Sequence, residues 1–171
     1  MEVGRRSKGS LSTIYVVLPL FLFLLLFGGR DEPKEVTVFF GPAFEKTKCS
    51  ISLKANDSNI KTEIVLYNSK SVFPGKDAVI EAQDSISSKS REVFALLSNM
   101  VKVSDCGSEN ILDGTDVIIK IGDGDFISCN SGNIESNVML VELLNDLFKF
   151  SIENSNNKII VNYLKRRKGE F

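Results

Sequence analysis

The sequence predicts an α+β chain: a single N-terminal transmembrane helix, then one small two-layer α/β sandwich with a mostly antiparallel sheet and two helices. Three observations carry this. Ile14 to Phe27 holds no charge and no strongly polar group. Short β-prone runs, separated by turn residues, fill much of the remainder. Two longer stretches place apolar residues at helical spacing, without the regular βαβ alternation of a parallel sheet.

The apolar segment Leu11 to Gly29 follows Arg5, Arg6 and Lys8 and precedes the mixed-charge run Arg30, Asp31, Glu32. Nineteen residues of helix span roughly 28 Å, close to the ~30 Å hydrocarbon thickness. In lipid the backbone must satisfy its own hydrogen bonds, so the segment is helical, and a kink at Pro19 is tolerated. Positive charge before the span retains the N-terminus in the cytoplasm and sends the rest across. A cleaved signal peptide is the alternative, giving a secreted domain. It lacks a small residue at the third-last cleavage position: cleavage after Gly28 puts Leu26 there, and cleavage after Gly29 puts Phe27 there. The expected layout is a cytoplasmic basic tail (1–10), an anchor (11–29), a linker (30–35), an extracytoplasmic domain (36–164) and a basic C-terminal tail (165–171).

In the domain, Val36 to Phe40 is short, apolar and β-prone. Cys49 to Leu53 alternates, with Cys49, Ile51 and Leu53 on one face. Ile60 to Tyr67 begins alternating and ends apolar, as a strand does when it runs into the middle of a sheet. Ala78 to Ala82 is a further short strand. Pro42 and Pro74-Gly75 punctuate the loops between these runs. Ser87 to Val103 is expected as the first helix, capped by Ser87 or Ser88. Val93, Leu96, Leu97, Met100 and Val101 form its apolar stripe.

Asp116 to Ile121 and Phe126 to Cys129 read as a hairpin around Gly122-Asp123-Gly124-Asp125, since glycine permits the positive φ of tight turns. Glu135 to Phe148 is the second helix. Val138, Val141, Leu144 and Phe148 lie on one line, and Leu140, Leu143 and Leu147 widen it. Glu135 stands near the helix N-terminus, where the dipole favours an anion. Lys158 to Leu164 is expected as a last strand after the Asn154 to Asn157 turn.

The chemistry is bounded by what is missing. There is no histidine, which removes Ser-His-Asp and Cys-His nucleophile systems and the usual base near neutral pH. No Walker loop or GxGxxG occurs, and no cofactor is implied. A net charge of -1 does not favour nucleic acid. Cys49, Cys106 and Cys129 contain no CxxC and are too few for a four-cysteine zinc site. Outside the cytoplasm two can be bridged. Cys106 with Cys129 is preferred, because both border the hairpin; Cys49 with Cys129 and three reduced thiols remain open. Only Cys49 has an adjacent cation, Lys48, to activate a thiolate.

Asp113, Asp116, Asp123 and Asp125 could offer oxygen ligands to calcium, but EF-hand spacing is missing and Asp-Gly is ordinary turn chemistry. Lys165-Arg166-Arg167-Lys168 could contact anionic headgroups; a solvated tail is the simpler reading. Asn56-Asp57-Ser58 fits a glycosylation sequon. No catalytic or metal-binding residue is therefore assigned. The expected function is a single-pass membrane protein whose partners are the bilayer and another protein, a non-catalytic subunit or adaptor of an envelope complex. The alternatives are a carboxylate-dependent envelope enzyme and a binder of calcium or a small ligand.

Overall fold

The computed structural model describes residues 35–42, 44–56, 58–103, 115–130 and 138–168. The proposed anchor with Arg5, Arg6 and Lys8, together with Cys106, Asp113 and Glu135, lies outside the described residues. Among the described residues no helix is long and apolar enough to cross a membrane.

Six strands form one sheet: β1 (Glu35–Pro42), β2 (Thr47–Ala55), β3 (Ile60–Asn68), β4 (Val79–Ser88), β5 (Thr115–Ile121) and β6 (Asp125–Asn130). The order is β4-β3-β2-β1-β5-β6, and every neighbouring pair is antiparallel. The helices α1 (Arg91–Met100), α2 (Val138–Asn154) and α3 (Lys158–Arg167) complete an α+β domain. β1 to β4 form a meander. After α1 the chain returns to the free side of β1 with β5, so the first strand becomes central.

That position explains VTVFF. The helix-side face of β1 presents Val36, Val38 and Phe40, which join Ile51, Ile64, Val117 and Ile119 in the main core. Phe40 meets the Phe148 ring of α2 at 4.6 Å and the Tyr163 ring of α3 at 6.2 Å. A buried phenylalanine of this kind contributes about 3–5 kcal/mol relative to alanine. On the opposite face Phe39 is buried too, because Phe73 of the β3–β4 loop stacks on it at 4.5 Å. A strand covered on both sides is apolar almost throughout, and here only Thr37 interrupts the run.

The hairpin is where the sequence places it. Val117 pairs with Cys129 and Ile119 with Ile127, and Gly122 has φ 55°. By contrast β4 is twice the predicted length. It is an edge strand, exposed at Val79, Ile80 and Glu81, and its largely polar stretch EAQDSISS has little apolar signal to read. Ser87 and Ser88 consequently belong to β4. The cap of α1 is Ser90, whose hydroxyl accepts from the Glu92 N–H at 3.2 Å. Val93, Leu96, Leu97 and Met100 are buried as the spacing predicts. α2 runs on to Asn154 and buries Leu140, Leu143, Leu144, Leu147 and Phe148, whereas Val138 is exposed.

The expected last strand is instead the helix α3. Its buried residues are Ile160, Tyr163, Leu164 and Arg167, the i, i+3, i+4, i+7 stripe of an amphipathic helix. Reading only as far as Leu164 hides that stripe, and the β-branched Ile159-Ile160-Val161 then looks like a strand. Asn157 caps the helix by accepting from the Ile159 N–H at 3.0 Å. The basic cluster is thus no frayed tail: Lys165, Arg166 and Arg167 form its last turn, where cations complement the helix dipole.

Candidate protein-binding groove

α1 and α2 both sit over the sheet, and their facing stripes leave a groove between them of about 430 Å³. From α1 come Glu92, Leu96 and Asn99. From α2 come Leu143, Asp146, Phe150 and Glu153. The spacing on each helix is three or four residues, so each set lies on one face. Leu96 and Leu143 are buried at the floor, and Phe150 is half-buried. Glu92, Asp146 and Glu153 are exposed at the rim, with Lys149 as the opposing charge. Ser88 and Ser90, at the β4–α1 junction, close one end.

An apolar floor with solvated charges above it suits the side chains of a peptide segment, with specificity set by the rim. None of these rim residues stands out in the sequence. Their charges are ordinary on any solvated helix face, and only the fold brings α1 beside α2.

The residues singled out by sequence are scattered. Asp116 lies near the start of β5, while Asp123 lies in the turn at its far end, separated by roughly 17 Å of strand. No group of three acidic, cysteine or histidine residues able to hold a metal occurs among the described residues. Cys49 is a free thiol buried in the core, and burial pushes its pKa well up, the reverse of nucleophile activation. Its neighbour Lys48 is turned to the other face, where the ammonium donates to the Pro42 carbonyl. Burial lowers the Lys48 pKa, partly opposed by Asp116 and Glu45. Cys129 is buried and disulfide-bonded. Asn56 of the sequon is exposed in the β2–β3 turn.

No family model, no curated protein and no solved structure matches this chain.

Proposed function

We propose that this chain is a single-pass membrane protein whose extracytoplasmic domain binds another protein, as a non-catalytic subunit or adaptor. The α1–α2 groove carries this reading: its floor of Leu96, Leu143 and Phe150 accepts apolar side chains, and its acidic rim selects basic ones. The apolar segment Leu11 to Gly29 supports the anchor, and the basic Arg5, Arg6 and Lys8 support the orientation. A disulfide at Cys129 accords with an oxidising compartment.

The test is co-purification of the tagged full chain from native membranes in mild detergent, alongside Glu92→Lys/Glu153→Lys. Both positions are exposed, so charge reversal should leave the fold intact. A stoichiometric protein recovered with the parent and lost from the variant is expected. Recovery of the same protein with both chains would remove the groove from the account. A chain that stays soluble without detergent would remove the anchor.

A further inference from the structure

The β1–β2 turn and the end of α3 form one surface at the end of the sheet opposite Glu35. Contacts on several sides hold the turn. Glu45 N–H donates to the Pro42 carbonyl at 3.3 Å, and Ser69 N–H donates to the Lys46 carbonyl at 2.9 Å. The Tyr163 hydroxyl donates to the Thr47 carbonyl at 3.2 Å, and Arg167 is ion-paired with Glu45. At the tip of this fixed turn Phe44 is 83% exposed. Beside it, across the Glu45–Arg167 pair, α3 ends in the exposed cations Lys165, Arg166 and Lys168, and Lys46 is exposed on the turn itself. The nearby acids are offset: Glu45 is held by Arg167, and Asp116 faces Lys48.

We propose that this surface docks on an anionic lipid bilayer, with Phe44 entering the interfacial region and Lys46, Lys165, Arg166 and Lys168 contacting headgroups. Water disfavours a phenylalanine held out on a fixed turn, and the bilayer interface accepts it. Charge complementarity selects the lipid: cations beside an apolar tip bind anionic headgroups far better than zwitterionic ones. This contact is additional to the proposed anchor and does not depend on it.

The chain contains no tryptophan, so F44W introduces a single interfacial fluorophore at an open position. The full-length F44W chain is reconstituted in phosphatidylcholine vesicles and titrated with added vesicles of phosphatidylcholine and phosphatidylglycerol. A second preparation carries phosphatidylglycerol in the host bilayer. A blue shift of the indole emission in either arrangement, and none with phosphatidylcholine alone, is expected. Adding K165Q, R166Q and K168Q to F44W should weaken the response about fivefold per charge, with the far-UV circular dichroism unchanged. A chain that is soluble without detergent is titrated directly; that behaviour counts against the anchor alone. An emission that ignores phosphatidylglycerol in both arrangements, or a triple variant that responds like its parent, would overturn the proposal and leave the surface to an acidic protein.

Discussion

Arg167 in the last turn of α3 is ion-paired with Glu45 in the β1–β2 turn, 122 residues earlier in the chain. The Arg167 guanidinium also lies 5.2 Å from the centroid of the Tyr163 ring, and only 9% of the side chain is exposed. The pair ties the last helix to the first hairpin. It holds the Glu45 carboxyl below its ordinary pKa, chiefly through the Arg167 hydrogen bond.

Arg167→Ala removes a buried stem, a cation–π contact and the ion pair together. The expected cost is about 2–3 kcal/mol in urea denaturation. Glu45→Gln should cost less, about 1 kcal/mol or under, because Glu45 is 51% exposed and water screens its charge. Equal losses in the two variants would show that Arg167 contributes only through the charge pair.

Asp84 on the edge strand β4 fastens the α2–α3 turn. Its Oδ2 accepts from the Ser155 hydroxyl at 2.6 Å and from the N–H groups of Asn156 and Asn157 at 3.0 and 3.3 Å. These bonds favour the carboxylate, Ser155 most of all, and hold its pKa below the ordinary value. Between the two pKa values the unfolded state binds more protons, so stability rises with pH there. The contribution is complete above the ordinary carboxylate range and is lost as pH falls through the lowered native value. Asp84→Ala should therefore cost about 1–2 kcal/mol at neutral pH. The two stability curves should converge in acid; a gap that stays constant down to the acid limit would contradict this account.

What the sequence makes legible depends on where each element's partners lie. The β5–β6 hairpin is legible because Gly122-Asp123-Gly124 is a local turn signal between two β-prone runs. β1 is legible because burial on both faces favours an almost continuous apolar run, Val36 to Phe40. The end of β4 is not, because an edge strand takes its order from backbone pairing with β3 and from the cap at Asp84, neither of which leaves a pattern in EAQDSISS. α3 is misread because its seventh-residue contact is an arginine. Arg167 is buried through a remote glutamate, and no local rule marks a charged residue as core. The groove acids Glu92, Asp146 and Glu153 are illegible for a similar reason, since α1 and α2 are far apart in sequence and only the fold sets them side by side.

Thr62 is fully buried on β3, and its hydroxyl is among the few buried side-chain polar atoms without a hydrogen-bond partner among the described residues. Removing an unsatisfied buried hydroxyl while keeping its shape recovers its desolvation cost. Thr62→Val should raise stability by about 1 kcal/mol and Tm by roughly 2–4 °C. A fall in Tm by differential scanning calorimetry would mean that the hydroxyl is bonded in solution.

Cys129 sits opposite Val117 in the β5–β6 hairpin and is disulfide-bonded, while Cys49 is a free, buried thiol. We propose Cys106 as the partner of Cys129. Such a bridge would close the segment that carries β5 back to β1, and in chain-entropy terms it would contribute roughly 3 kcal/mol. Non-reducing peptide mapping of the native chain should recover a linked peptide containing Cys106 and Cys129. Cys49 should react with a thiol reagent only after denaturation, because burial both shields its sulfur and disfavours the thiolate. Cys106→Ser should lose the linked peptide and about the same roughly 3 kcal/mol. A Cys49–Cys129 peptide from the native chain would refute the pairing.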